Sequence, residues 1–461
     1  MSDFCPFFIN SNICLKKEDL FDFDMFLKRI CWNTGNSYIT YSLIKTFFGK
    51  MIEINHIPSI YQYDFSKQEK DIEFINANCS HVILVLQDQI RVMLESYGSQ
   101  LPYIELANFL KKIDKPILVA GLGLNSFEEI DKDWHKRLNP ELVSLLHTIS
   151  EKCKIIGLHG YMSQEILKRL GIENTQAIGC PSYYEAGRNR QIIKKPFSSD
   201  LKILLSNPQK YEWMSKYPVI LQDEWKLMEA IAFDKNNFNN LSDDELLLVE
   251  RKHYQTFSNI DEWKNYVSKF DFVMGNRVHG SVLATNCGVP ALCFNWDQRA
   301  KEMMDFFKIP RFPELTHISD IEQIYDACDY SDMNKSYPEA YDNYICFLEK
   351  NGFFIQKETM KNAVALKQPS LILYSSKVDE KLSQEKYRRL LRKISYLEEI
   401  IHSEGEALNS KTSNLEKQIE KLLKRPSFFE YQRVRLLSHI TFGKMKRHYG
   451  EKKKNYKQYL Q

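Results

Sequence analysis

Residues 271–297, DFVMGNRVHGSVLATNCGVPALCFNWD, decide how the fold is interpreted. A short apolar run ends abruptly at Gly275, and a second run, Ala291–Phe294, follows a Gly-Val-Pro turn. Apolar runs of this length, bounded by glycine and proline, are typical of buried strands, and the segment between them is long enough for a helix. The stretch therefore predicts a strand, a helix and a second strand, with Arg277 and His279 where the first strand gives way to the helix.

The same alternation of apolar runs and amphipathic segments extends along the chain. Residues 89–95 and 163–170, for example, have the spacing of amphipathic helices. This alternation predicts an α/β fold with parallel sheets that are covered on both faces. The strands predicted from apolar runs lie at residues 81–86, 116–120, 153–158, 201–205, 218–222, 270–274 and 290–294.

A polar stretch at residues 185–196 interrupts the pattern and predicts a domain boundary. We expect an N-terminal α/β domain over 1–190, a C-terminal α/β domain with the Arg-x-His motif over 198–376, and a helical extension over 377–461. Two similar α/β domains would face one cleft. Ligands of open α/β sheets bind at the carboxyl ends of the strands, so we expect the site there.

The composition is that of a soluble globular protein, with 43% hydrophobic and 27% charged residues in a chain of 461. This length is too great for one core. No stretch approaches the apolar length of a membrane span, and residues 1–20 lack a signal-peptide pattern, which predicts a cytoplasmic protein. The ten cysteines include no Cys-x-x-Cys pair, so we expect buried free thiols rather than disulfides or a zinc site.

The C-terminal extension carries apolar residues at intervals of seven, from Tyr387 through Ile394 and Ile401 to Leu422. This spacing predicts a coiled-coil-like helix, and residues 380–424 could then join copies of the chain into a homo-oligomer. In the second half of this pattern the d positions of the heptad are polar, so that half specifies a coiled coil poorly. A long helix packed on its own body remains the alternative.

The formal charge of +3 is unevenly distributed. Residues 421–461 contain twelve Lys/Arg and two Asp/Glu, a net charge of +10, which leaves the rest of the chain at −7. Aromatic residues interleave with these lysines, which favours an anionic membrane surface as a partner, on the inner face of the membrane. A solvated charged end is the alternative. No nucleic-acid-binding motif accompanies the tail, so we expect no nucleic acid partner.

The residues around the predicted strand end suit the binding of an anion. A helix that starts near His279 offers free backbone N–H groups. The Arg277 guanidinium is suited to bidentate recognition of carboxylate or phosphate, and His279 can exchange protons near neutral pH. Gly280 would let a ligand approach the backbone, while Arg299 and Lys301 add two cations after the next strand. An Arg-x-His pair can also be a local hydrogen-bonding feature, and that alternative stays open.

Three segments resemble motifs of the polysaccharide pyruvyl transferase family. Residues 275–301 resemble its signature, an R-x-H-(G/A) turn and helix, G-x-P, a strand, and an aromatic-Asp-x-Lys segment. Residues 33–48 resemble its N-terminal N-x-G-D loop and the helix after it. Residues 155–182 resemble its internal segment, in which R-(D/G)-x-x-(S/T) opens a helix and a strand leads to a D/C-P turn. The motifs occur in the family's order and cover most of residues 30–310.

The resemblance implies a two-domain fold similar to that of GT-B glycosyltransferases. It implies an enzyme of surface-polysaccharide biosynthesis that transfers pyruvate from phosphoenolpyruvate to a sugar as a ketal. The partners are then phosphoenolpyruvate and a sugar or oligosaccharide acceptor, free or lipid-linked, with no cofactor and no metal. Two other interpretations stay open: a GT-B-like glycosyltransferase that uses a nucleotide sugar, and an inactive scaffold in a polysaccharide-assembly complex.

The resemblance also implies roles for individual residues. His279 is the implied acid/base and Arg277 the implied anion clamp. Three positions depart from the family pattern, because Arg299 stands in place of a lysine, His159 in place of an arginine and Asn36 in place of an aspartate. Protonated His159 could replace the missing cation, with a structural histidine as the alternative. The implied substrate-binding residues are Arg299, Lys301, Asn276, Gly280, Ser281, His159, Asn33, Gly35 and Asn36.

Overall fold

A computed structural model describes most of the chain and shows an α/β protein with parallel sheets. The residues described are 4–9, 15, 17–30, 32–53, 55–56, 68–92, 102–208, 214, 216–233, 238–294, 297–312, 320–355, 364–403 and 417–421. The basic tail at 422–461 lies outside them, so its attraction to a membrane surface stays a prediction.

The described strands are short and pair in parallel. In chain order they are β1 (Pro6–Ile9), β2 (Asn55–His56), β3 (His81–Leu84), β4 (Ile90–Arg91), β5 (Ile117–Val119), β6 (Leu124–Asn125), β7 (Ile156–Leu158), β8 (Thr175–Ala177), β9 (Ile203–Leu205), β10 (Val219–Leu221), β11 (Tyr254–Thr256), β12 (Phe272–Gly275), β13 (Ala291–Phe294) and β14 (Arg311–Phe312).

Helices alternate with these strands along the chain. In chain order they are α1 (Phe23–Arg29), α2 (Thr34–Phe48), α3 (Gln68–Asn78), α4 (Tyr103–Lys111), α5 (Pro140–Lys152), α6 (Tyr161–Arg169), α7 (Trp225–Ala232), α8 (Asp243–Glu250), α9 (Ile260–Val267), α10 (Val278–Asn286), α11 (Gln298–Phe307), α12 (Ile321–Ala327), α13 (Ser331–Lys350) and α14 (Ser375–Ser403). Short 3-10 helices lie at Lys17–Phe21, Trp134–Arg137, Pro181–Tyr184 and Phe238–Asn240.

Two larger sheets organise the fold. The first has the order β2-β1-β3-β5, and the second has the order β11-β10-β9-β12-β13-β14. Two smaller pairs, β4-β6 and β7-β8, accompany them. All seven strands predicted from apolar runs are confirmed, because their buried side chains fill both faces of these sheets. The first sheet is built from residues before 185 and the second from residues after 198, while the domain bounds expected from the sequence stay a prediction.

The helix predicted at residues 89–95 is wrong where the structure describes it. Ile90 and Arg91 form β4 and pair with Leu124 and Asn125 of β6. The helical spacing was misleading because a partner more than thirty residues away supplies the hydrogen bonds. The helix predicted at 163–170 is confirmed as α6.

The chain divides into two compact units. The first consists of Met1–Phe233 and Arg251–Leu373 and contains both larger sheets. The second consists of Asp234–Glu250 and Tyr374–Gln461, and its described part is α8, the preceding 3-10 helix and α14.

The start of α14 is packed within the second unit. Val378, Leu382, Leu390 and Ile394 are buried, and α14 contacts α8. This packing favours the alternative of a helix on its own body for the first half of the heptad pattern. The later heptad positions from Leu408 to Leu422 lie outside the described residues, so the coiled coil and the homo-oligomer stay predictions.

The cysteines differ in part from the expectation of buried thiols. Those described are free, but Cys346 is exposed and Cys5 and Cys287 are half-buried. Among the described helices, none is long and apolar enough to cross a bilayer.

Candidate active site

The Arg-x-His turn lies where the sequence predicted it, between β12 and α10. Arg277 is the N-cap residue of α10. Its guanidinium pairs with Asp223 and lies 3.0 Å from a Glu224 carboxylate oxygen, both of which follow β10. The Asn33 side chain donates to the second oxygen of Asp223 at 3.0 Å. Arg277 is therefore already held by two carboxylates, which fix its orientation and offset its charge.

His279 occupies the first turn of α10 and is 7% exposed, so it belongs to a buried site and not to a loop rim. Its Nε2 atom lies 3.9 Å from the sulfur of Cys180. A Cβ atom added at Gly35 would lie 2.7 Å from the His279 Cβ, so only glycine fits beside the ring. The backbone N–H of Gly35 donates to Asn33 Oδ1 at 2.7 Å, which caps the start of α2.

His159 follows β7 and is 2% exposed. A Cβ atom at Gly123 would lie 2.0 Å from its Nδ1, so the backbone at Gly123 passes directly against the ring. Neither ring nitrogen of His159 has a hydrogen-bond partner in the part of the chain that the structure describes. An enclosed imidazole with two unused nitrogens can still donate to, or accept from, a ligand.

Arg299 on α11 is the second arginine of the site. Its guanidinium donates to Asp88 Oδ2 at 2.8 Å, and Asn125 donates to the same oxygen at 2.8 Å. Burial alone would lower the pKa of Arg299, but the carboxylates of Asp88 and Asp297 raise it above the ordinary value. The guanidinium therefore stays charged inside the site.

Both histidines are neutral at neutral pH. Burial, followed by the positive charge of Arg299, lowers the pKa of His279 and the pKa of His159 to about 3, and the Asp88 carboxylate offsets this only in part. Arg299 and Asp88 both act on the pKa of each histidine, so the four groups share one electrostatic environment. The idea that protonated His159 supplies a standing cation therefore does not fit its lowered pKa.

Asp223 has the opposite shift. Burial raises its pKa to about 6 and the nearby Glu224 carboxylate adds to the rise, although Arg277 works against it. A carboxyl group that titrates near 6 can take up or release a proton at working pH. The site therefore contains a second titratable group besides the histidines.

Glu302 joins α11, which carries Arg299, to α6, which begins two residues after His159. Its carboxylate accepts from the Ser163 backbone N–H at 2.6 Å and from the Ser163 hydroxyl at 2.7 Å. A Cβ atom at Gly160 would lie 2.5 Å from the Glu302 Cγ, so the carboxylate sits against the start of α6. Because Gly160 provides no side-chain cap for α6, Glu302 caps that helix from α11.

The structure brings together six of the predicted residues: Asn33, Gly35, His159, Arg277, His279 and Arg299. Asn36 lies in the same first turn of α2, where its N–H donates to the Asn33 carbonyl at 2.9 Å.

Four predicted residues have other surroundings. Gly280 packs against Ser206, 2.5 Å from its would-be Cβ, so its small size serves helix packing. The Ser281 hydroxyl is buried and points to the Leu292 carbonyl at 3.4 Å. The Asn276 backbone donates to Asn207 Oδ1 at 3.0 Å. Lys301 lines a cavity whose lining does not include Arg299.

Sequence reasoning missed several residues of the site. Asp88, Asp223 and Glu224 each follow a strand, and that position was the available signal, because ligands of open α/β sheets bind at the carboxyl ends of the strands. Cys180 was noted only as part of a Cys-Pro turn. Glu302 adjoins the predicted Lys301, but no spacing rule links it to Ser163. Among the described residues, no group of three His, Cys, Asp or Glu is arranged to hold a metal ion.

Parallel sheets, with a buried histidine in an Arg-x-His turn at a strand end, define an α/β protein. The model of the family described as polysaccharide pyruvyl transferase matches residues 33–298, which is more than half of the chain. The chain belongs to the polysaccharide pyruvyl transferase family, and its class is therefore that of a transferase. Of the six residues that the structure brings together, five lie inside the matched region and Arg299 directly follows it. No curated protein sequence matches the chain.

Solved structures share low similarity with this chain. HepE from Anabaena in complex with UDP has 9% identity, covers 75% of this chain and 95% of its own, and gives a TM-score of 0.33. MnaA from S. aureus with UDP has 10% identity, covers 74% and 90%, and gives 0.32. The wall teichoic acid polymerase TagF has 8% identity, covers 84% and 89%, and gives 0.30. These scores are too low to carry an argument about this chain.

Proposed function

We propose that this protein transfers pyruvate from phosphoenolpyruvate to a sugar of a surface polysaccharide, as a ketal. One observation carries the proposal. His279, His159 and Arg299 come from separate segments and lie within range of each other's charge, in the region that the family model matches or directly beside it. A donor with a carboxylate and a phosphate needs such a group of positive and protonatable side chains. The GT-B-like arrangement of two domains around a cleft is part of the same proposal.

The proposed reaction can be followed through its proton transfers. An acid adds a proton to the methylene carbon of phosphoenolpyruvate, which makes C2 cation-like, and a sugar hydroxyl adds there. The C2–O bond to phosphate breaks, and a second hydroxyl of the same sugar closes the ketal. The two hydroxyls release two protons. One restores the acid that protonated the methylene carbon, and the other leaves with phosphate. His279 is the proposed acid and then base, because it is the buried imidazole next to Arg277.

The charges of the site make donor binding depend on protons. Arg277 faces Asp223 and Glu224, and Arg299 faces Asp88, so three carboxyl groups outnumber the two arginines and the site has no net positive charge. A nearby anion raises the pKa of an imidazole, since it stabilises the charged form. The donor would therefore draw protons onto His159 and His279 as it binds. In this way His159 could supply the charge that an arginine supplies in the family's motif.

The experiment measures phosphate release from phosphoenolpyruvate in the presence of free and lipid-linked sugar acceptors. The expected result is phosphate release that depends on an acceptor and is lost in the His279→Ala variant, with the product heavier by one pyruvyl group. Turnover of a nucleotide sugar instead of phosphoenolpyruvate would identify a glycosyltransferase. No turnover with either donor would identify the inactive scaffold.

A further inference from the structure

A surface groove lies beside α6, which begins two residues after His159, and α11, which carries Arg299. Its larger part is a cavity of about 670 Å³ between α6, β8, α11 and α13. A second cavity of about 330 Å³ shares Tyr161 and Met162 with it. Both volumes fall in the usual range for ligand pockets, roughly 300–1,000 Å³. We call the two cavities together the Tyr161 groove.

Tyr161 stands between the two cavities and is 70% exposed. Its ring approaches that of Phe306, with centroids 5.7 Å apart. Two neighbouring aromatic rings, one of them this exposed, offer an apolar face that a ligand can cover. A sugar ring suits this surface, because it presents an apolar C–H face to the aromatic ring and hydroxyl groups around its edge.

The walls of the groove carry polar groups that suit sugar hydroxyls. Gln176 donates to Asn343 Oδ1 at 2.8 Å, and Asn343 donates to the Ala177 carbonyl at 2.9 Å, so these amides are held in place before a ligand arrives. Gln164 donates to the Thr175 carbonyl at 3.1 Å. Fixed amide groups reduce the entropic cost of binding a polar ligand.

The groove shares structural elements with the candidate active site. Glu302 lines the groove and holds Ser163, which is four residues beyond His159. Arg299 and Lys301 are two residues apart on α11, and helix geometry therefore directs them to different sides. Arg299 faces Asp88 in the candidate site, whereas Lys301 lines the groove.

We propose that the Tyr161 groove binds the oligosaccharide portion of the acceptor, with Tyr161 as an aromatic platform between two sugar-binding positions. Lys301 is then an acceptor-binding residue, in place of the role in donor binding expected from the sequence. The acceptor is then an oligosaccharide of more than one sugar. Binding of this oligosaccharide does not depend on the proposed function, whereas the reaction that follows binding does.

The experiment measures binding of glycans to the full chain without any donor. Immobilised oligosaccharides of glucose, galactose, N-acetylglucosamine, N-acetylmannosamine and their uronic acids are compared with the matching monosaccharides. The unaltered protein is expected to bind at least one oligosaccharide more tightly than its monosaccharide. The Tyr161→Ala variant should lose at least about tenfold in affinity for that glycan, whereas Tyr161→Phe keeps the ring and should bind within a few-fold of the unaltered protein.

The matched control is Tyr396→Ala on α14, which removes a tyrosine that is 63% exposed outside the groove and should not alter binding. Absence of oligosaccharide binding by the unaltered protein, or equal binding by Tyr161→Ala, overturns the proposal. The test is independent of the reaction. If glycan binding requires Tyr161 but phosphoenolpyruvate is not turned over, the groove proposal stands and pyruvyl transfer is rejected. If pyruvate is transferred to oligosaccharides equally well without Tyr161, pyruvyl transfer stands and the groove proposal is rejected.

Discussion

Replacement of Glu302 by glutamine should change the pH dependence of stability. The carboxylate is 4% exposed and accepts two hydrogen bonds from Ser163. Burial raises the pKa of Glu302 from 4.5 to about 7, although the hydrogen bonds from Ser163 and the Met162 N–H oppose this rise. The carboxyl group therefore binds its proton more tightly in the folded chain than in the unfolded chain.

The size of the effect follows from the pKa shift. A raised pKa gives stability that is fully present below pH 4.5 and is lost as the pH rises through 7. With 1.36 kcal/mol for each pKa unit, the loss is on the order of 3 kcal/mol. Glutamine does not titrate and can still accept from the Ser163 N–H, so the Glu302→Gln variant should not suffer this loss.

Urea denaturation of both proteins between pH 5 and pH 8 measures the effect. The free energy of unfolding of Glu302→Gln, relative to that of the unaltered protein, should rise with pH by up to about 3 kcal/mol. The matched control is Glu349→Gln, which removes an exposed carboxylate of α13. A difference that stays constant with pH for Glu302→Gln, or that changes equally in the control, would refute the description of Glu302 as a buried cap with a raised pKa.

Three further predictions concern the Arg-x-His turn. Gly35→Ala should lower kcat by at least about tenfold, because its methyl group would lie 2.7 Å from the His279 Cβ. Unchanged kcat in a steady-state assay would contradict this. Arg277→Lys should weaken phosphoenolpyruvate binding by about tenfold or more, since an ammonium cannot contact Glu224 and clamp the donor in two places, and an unchanged Kd would remove the clamp. Donor binding at pH 7 should take up about one proton onto His159 or His279. Calorimetry in buffers of different ionisation enthalpy measures this uptake, and its absence would mean that both rings stay neutral.

The four inner strands of the second sheet, β10, β9, β12 and β13, could be predicted because they carry the signal themselves. Residues such as Ile203, Leu204 and Leu205 are consecutive buried apolar side chains, and a strand covered on both faces requires that pattern. The short strand β4 could not be predicted, since Ile90 and Arg91 form a strand only through their pairing with a distant segment. Local periodicity contains no information about such a partner.

The candidate site was predictable in its arginine and histidine but not in its carboxylates. Arg277 and His279 occupy a strand end followed by a helix, a position with a general physical meaning. Asp223 and Glu224 neutralise Arg277. They follow a different strand and become neighbours of Arg277 only in the folded sheet. The pKa values of the histidines likewise depend on burial and on Arg299, which no motif reports.

The central claim is that His279 protonates phosphoenolpyruvate on the way to a pyruvyl ketal. Its most direct test is the reaction run in heavy water with an oligosaccharide acceptor, followed by mass spectrometry and NMR of the product. The account predicts a ketal whose methyl group carries one deuterium from solvent, formed by the unaltered protein and not by folded His279→Ala. A product without solvent deuterium, or the same product at an undiminished rate from His279→Ala, would contradict it.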